Sequence, residues 1–131
     1  MKELKLKDSG NRQVYETGAN RDNPVGKGMM NLIPACSILR VSRHYEIGGS
    51  KYGYDNWTKG IPTSSYIDSA LRHLFKYLAG CNDEDHLSAA VWNILCLMWT
   101  EQNKPEMQNI PTWKDRKSNF LYDLDLGEDN E

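Results

Sequence analysis

The chain has 131 residues, 39% hydrophobic and 26% charged, with a formal net charge of -2. This is one domain's worth of chain, able to bury roughly two-thirds of its unfolded surface. The near balance of charge excludes a global electrostatic case for nucleic-acid binding, no apolar run approaches the ~20 residues of a membrane span, and "MKELKLKDSG" lacks the apolar stretch of a signal peptide.

Residues 1–33 are polar and are punctuated by "TGANRDNPVGKG", which reads as loop with one short extended piece. A first helix is expected over 34–49. Pro34 suits its first turn, Ala35, Ile38, Leu39, Ser42 and Tyr45 recur at helical spacing, and Gly48-Gly49 are expected to stop it. "SKYGYDNWTKGIP" follows as an aromatic, glycine-bearing loop. A second helix is expected from Ser64 to Leu78, with Ile67, Ala70, Leu71, Leu74 and Leu78 on one face and Ser65 with Asp68 as a capping box. A third runs through "DEDHLSAAVWNILCLMWTE", capped by Asn82 or Asp83, with acidic charge at its positive end. Beyond Glu101, "QNKPEMQNIPTW" reads as an irregular connection and "DLDLGEDNE" as an acidic frayed tail. No repeat and no alternating pattern long enough for a sheet is present.

The expected fold is therefore mainly α: a small bundle of three main helices with long glycine-rich loops, completed by oligomerisation. Residues 1–103 are expected to form the helical domain that carries any site, with a loop-rich N-terminus, and 104–131 an irregular acidic tail. The third helix is apolar on nearly every side, so its second face calls for another subunit, and Trp92 and Trp99 need cover. A symmetric homo-oligomer is expected. The three cysteines, Cys36, Cys81 and Cys96, form no CxxC pair, and an odd count points to reduced thiols in the cytoplasm.

Polar residues interrupt that helix. His86 and Asn93 project in nearly the same direction, and burying either unpaired costs a few kcal/mol, about what burying one leucine contributes. Read singly, Asn93 satisfies a nearby carbonyl and His86 finishes the first turn. On the second helix, Asp68 and Arg72 are spaced to pair on the surface, while His73 borders the apolar face. The short connection from Leu78 to Asn82 makes these helices antiparallel neighbours, which brings His73 to Glu84, Asp85 and His86. Such a group can hold a divalent cation, although its spacing matches no standard zinc site.

The loops add a third part. Arg21 and Lys27, with backbone amides freed by Gly18, Gly26 and Gly28, suit phosphate. Lys51 and Lys59 carry charge beside Tyr52, Tyr54 and Trp57, flat faces for a base. Two such loops beside a helix-end acidic cluster are best accounted for by a nucleotide pocket.

"TGANRDNPVGKGMMNLIP", "HYEIGGSKYGYDNWTKGIP", "SALRHLFKYLAG" and "DEDHLSAAVWNILCL", in that order and spacing, closely resemble the small, mostly phage-encoded family named for dATP/dGTP diphosphohydrolase (its N-terminal domain). The resemblance covers about Tyr15 to Glu101. It implies kinship with the all-α NTP pyrophosphatases of MazG type, which release a monophosphate and pyrophosphate using divalent metal held by helix-borne carboxylates. Carried onto this chain, it implies Mg²⁺, or Mn²⁺ or Co²⁺, held by Glu46, Glu84 and Asp85. Asp85, His86 and His73 are the implied catalytic groups, with either histidine relaying a proton. Arg21, Lys27, Lys51 and Arg72 would meet the phosphates, Tyr52 or Trp57 would stack on a purine, and Asn56 or Asn93 would bond its edge or the sugar. The predicted helices carry neither ExxE nor ExxD, the MazG-type metal signature. A non-catalytic nucleotide-sequestering protein is therefore the alternative, and a structural or interaction module a second one. No membrane and no nucleic-acid partner is expected.

Overall fold

Helix formation starts where Pro34, with no N–H to leave unsatisfied, precedes Ala35. In the computed structural model, which describes residues 4–6 and 8–113, helix α1 spans Ala35–Tyr52, α2 spans Thr63–Leu78 and α3 spans His86–Asn103. The expected stop at Gly48-Gly49 does not occur. Both glycines lie inside α1, which ends at Gly53, where φ is +97° and the N–H bonds the Gly49 carbonyl at 2.8 Å. Glycine is placed at 49 for packing: a Cβ there would lie 2.1 Å from the Tyr54 ring.

The mainly α architecture of three helices is as the sequence predicts. The expected single extended piece is instead a small antiparallel hairpin, β1 (Arg12–Val14) and β2 (Asn20–Asp22), with Gln13 opposite Arg21. Three residues per strand are too few to show alternation. Local bonds hold the hairpin, and neither strand packs extensively on a helix. Asp22 accepts from Lys27 at 2.5 Å and from the Ser9 hydroxyl at 2.5 Å. Lys27 first, then Ser9, holds the Asp22 carboxyl well below the usual carboxylate range.

Two caps also differ from expectation. Ser65 lies within α2 and Asp68 pairs with Arg72 at 2.6 Å, so no capping box forms. The Ser64 N–H is instead satisfied at 3.0 Å by the side chain of Asn109, and the wholly buried Thr63 hydroxyl donates to Gln108 at 2.7 Å. The segment after α3, with a 3-10 turn at Pro105–Met107, thus folds back on the start of α2. Helix α3 is capped by Asp85, later than expected, whose carboxylate accepts from the Ser88 N–H at 3.2 Å. The acidic end of the chain lies outside the described residues.

Helix α3 is flanked by the other two. Toward α2 it turns small and polar residues, His86, Ala89, Ala90, Asn93, Cys96 and Thr100, all buried. Opposite stand Tyr66, Ala70 and His73, at i, i+4 and i+7. Small residues on both sides bring the axes close, and Tyr66, 2% exposed, fills the remaining space. Asn93 is satisfied within its helix, donating to the Ala89 carbonyl at 2.8 Å. Trp92 and Trp99 find cover inside the chain, against Tyr45, Tyr66 and Trp57. Among the apolar residues left uncovered are Val91, Ile94, Leu95 and Met98, the last 56% exposed, with Ile67, Leu71, Leu74, Phe75 and Leu78 on α2. Among the described residues, no helix is long and apolar enough to cross a membrane.

Candidate functional site

Two cavities lie side by side along α1, and His44 lines both. The first, of about 120 Å³, is aromatic, bounded by Tyr45, Tyr52, Tyr54, Asn56, Trp57 and Trp92. Gly48 and Gly49 keep its floor free of side chains, and the ring of Tyr54 occupies the space a Cβ at 49 would take. Tyr45 and Trp57 meet edge to face with centroids 6.3 Å apart, and Trp57 meets Trp99 in the same way at 5.0 Å. The Tyr45 hydroxyl lies 3.5 Å from the Cys96 sulfur. Burial raises the pKa of that hydroxyl and pushes the Cys96 thiol up to about 11, so both are neutral near pH 7.

The second cavity, of about 250 Å³, is polar: Arg40, Arg43, His44, Ile47, Asp85 and Ser88 surround it. Arg40 and Asp85 form a two-pronged ion pair, Nε to Oδ2 at 2.7 Å and Nη2 to Oδ1 at 2.6 Å. The Ser88 hydroxyl adds a bond at 2.6 Å. Arg40 first, then Ser88, holds the Asp85 carboxyl well below the usual range, against the opposing effect of burial. Arg43, one turn on, completes a cationic wall.

A third cluster sits where α2 ends and α3 begins. His86, 2% exposed, places Nδ1 3.0 Å from His73 Nδ1 and Nε2 2.8 Å from the Asp83 carboxylate. Glu84 approaches His73 Nδ1 at 3.3 Å. Burial, more than the neighbouring charges, lowers the pKa of His73, which favours its neutral form. None of His73, Glu84 and His86 lines either cavity.

The sequence-predicted residues thus fall into separate groups. Tyr52, Asn56 and Trp57 meet at the aromatic cavity, with Lys51 beside them, its ammonium 5.1 Å from the Tyr52 ring centre. Asp85 stands at the polar cavity. His73, Glu84 and His86 gather at the helix junction. Arg21 and Lys27 belong to the hairpin and its following turn, Arg72 pairs with Asp68, and Asn93 is buried between α2 and α3. Glu46 is exposed, more than a turn and a half beyond Arg40, and lines neither cavity. Sequence reasoning passed over Arg40, Arg43 and His44. "RVSRH" does carry a signal, since arginines three apart with the next residue a histidine share one helix face.

A family model described as dATP/dGTP diphosphohydrolase, N-terminal, matches residues 17–110. The chain belongs to that family. The diphosphohydrolase match takes in all three helices, both cavities and the turn that caps α2, while β1 precedes it. No curated protein and no solved structure matched the chain. The family name suggests action on dATP or dGTP, and with it dependence on a divalent cation.

Proposed function

We propose that the chain binds a purine deoxynucleoside triphosphate across the two adjoining cavities and cleaves it between the α- and β-phosphates, releasing a monophosphate and pyrophosphate. The observation that carries this reading is the sharing of His44 between an aromatic cavity and an arginine-lined one. A base stacked among Trp57, Tyr52 and Trp92 has its phosphates leading toward Arg40 and Arg43, and the guanidinium plane suits phosphate oxygens. The α-phosphate, being nearest the nucleoside, then falls at the junction beside His44. This makes His44 the best-placed imidazole to accept a proton from the attacking water, ahead of His86 and His73, whose ring nitrogens face one another. Asn56 is available to the base edge.

The donor chemistry fits a hard cation. Mg²⁺ is commonly held by one or two carboxylates together with substrate phosphates, and Asp85 is a carboxylate in the phosphate cavity, whereas Glu84, next to it in sequence, turns to His73 instead. Glu46 joins Asp85 only if nucleotide binding or a second copy brings it near. A divalent cation, when bound, neutralises phosphate charge and lowers the pKa of water. Arg40, released from Asp85 by an arriving phosphate, exchanges one anionic partner for another. Lys51 stands at the rim, and Arg21 and Lys27 reach the phosphates only by movement of the hairpin.

A homo-oligomer is part of the proposal, supported by the uncovered stripe on α3 rather than by the tryptophans. Light scattering should give at least twice the 15.0 kDa chain mass, and Leu95→Glu should give the monomer. A wild-type monomer at micromolar concentration would remove this part. The free thiols Cys36, Cys81 and Cys96 are in keeping with a reducing cytoplasm.

The deciding experiment incubates the protein with dATP, dGTP and pyrimidine dNTPs plus Mg²⁺ or Mn²⁺, and measures pyrophosphate beside intact bound nucleotide. Pyrophosphate from the purines is expected. Bound but intact dGTP would favour the sequestering alternative, which draws support from an Asp85 already neutralised by Arg40. A melting temperature unmoved by every nucleotide would favour the scaffold reading.

A further inference from the structure

We infer that His73, Glu84 and His86 form a zinc-type metal site, separate from the nucleotide cavities, that clasps the end of α2 to the start of α3. The three donor atoms come from three parts of the chain: helix α2, the connection, and the first residue of α3. Their separations are 3.0 Å between the two Nδ1 atoms, 3.3 Å from His73 Nδ1 to the Glu84 oxygen and 3.8 Å from His86 Nδ1 to the same oxygen. Bonds of ~2.0–2.1 Å at tetrahedral angles require donors ~3.3 Å apart. The trio therefore outlines one face of a tetrahedron before any ion is added.

The surroundings agree with that assignment. Asp83 accepts the Nε2–H of His86 at 2.8 Å, which leaves Nδ1 as the ring nitrogen available at the common point. A carboxylate behind a ligating histidine fixes tautomer and orientation in metal sites and raises ligand basicity. His86 is almost fully enclosed, whereas Glu84 is 47% exposed, which leaves a route for the ion and a fourth position for water. Two imidazoles and one carboxylate select zinc or cobalt over magnesium, which prefers oxygen alone. This inference does not rest on the nucleotide reading, since the trio lines neither cavity.

The test uses the full chain, stripped with a chelator and titrated with Co²⁺ and Zn²⁺ in the absence of nucleotide. One equivalent of Co²⁺ should produce the visible bands of a four-coordinate ion, and one equivalent of Zn²⁺ should abolish them. Zn²⁺ at a hundredfold excess over its dissociation constant should raise the melting temperature by about 10 °C. Glu84→Gln, a change at an exposed side chain, should weaken Co²⁺ binding at least tenfold without altering the metal-free melting temperature. Asp83→Asn should weaken it by about 10–100-fold. Featureless Co²⁺ spectra in the wild type, or unchanged affinity in Glu84→Gln, would overturn the assignment and leave a hydrogen-bonded pair of imidazoles. Nucleotide hydrolysis is not a readout here, so either proposal can fail alone.

Discussion

Asp85→Asn is expected to lower dGTP hydrolysis at least ~100-fold while leaving the helices intact. Loss of even an outer partner of a metal ligand costs 10–100-fold, and among the described residues Asp85 is the one carboxylate lining the arginine cavity. The substitution separates two tasks that this side chain performs. Asparagine caps a helix as well as aspartate does, so the bond from the Ser88 N–H persists in kind. What disappears is the charge that meets Arg40 and would meet a cation. That ion pair is half exposed on both sides, and such pairs contribute about 0–1 kcal/mol, so the melting temperature should move by only a few degrees. Parent-level turnover in this variant would remove Asp85 from the chemistry.

The same pair sets a pH signature. Because Arg40 holds the Asp85 carboxyl below its ordinary range, its contribution to stability is complete above the unfolded pKa of about 4. It is lost as pH falls through the folded value. The stability difference between wild type and Asp85→Asn should therefore close on acidification below pH ~4, and should not reopen on the alkaline side.

Tyr66→Ala is expected to be the most damaging single change to the fold. The ring is 2% exposed, its centroid lies 6.3 Å from that of Trp92, and its hydroxyl reaches the Trp57 carbonyl at 3.4 Å. Truncating a buried aromatic costs about 3–5 kcal/mol, a large share of a stability that is ~5–15 kcal/mol for a typical domain. Tyr66→Phe, which removes only the hydroxyl, should cost about 1 kcal/mol. Urea denaturation of the two variants would distinguish them. A loss below 1 kcal/mol for the alanine variant would mean that the α2–α3 contact is not the core.

The helices were readable because apolar spacing is a local signal, and the bounds of α2 and α3 follow from it to within a few residues. Their caps were not. Asn109 serves Ser64 from 45 positions away, and no window of sequence contains both. The face of α3 that packs on α2 was misleading for a related reason. Apolar spacing puts Leu87, Ala90, Val91, Ile94, Leu95 and Met98 in one stripe, of which only Ala90 is buried; helix α2 is met by alanines, Asn93 and His86, because small residues allow close approach. The site was legible in its aromatic half, where Tyr52, Asn56 and Trp57 are near neighbours in sequence. It was not legible in its arginine-lined half: Arg40 and Asp85 are brought together only by the crossing of α1 and α3. His73 and His86 met as expected, since a short turn between antiparallel helices leaves them no choice.

The glycine at position 49 has an evolutionary implication. Alanine there would add about 1 kcal/mol of helix propensity, and would also evict the Tyr54 ring from the wall of the aromatic cavity. A laboratory selection rewarding heat tolerance would therefore pass over that change, because the 2.1 Å overlap with the ring outweighs the gain in propensity. The weak spot in α1 is a methyl group's worth of room that the Tyr54 ring already fills.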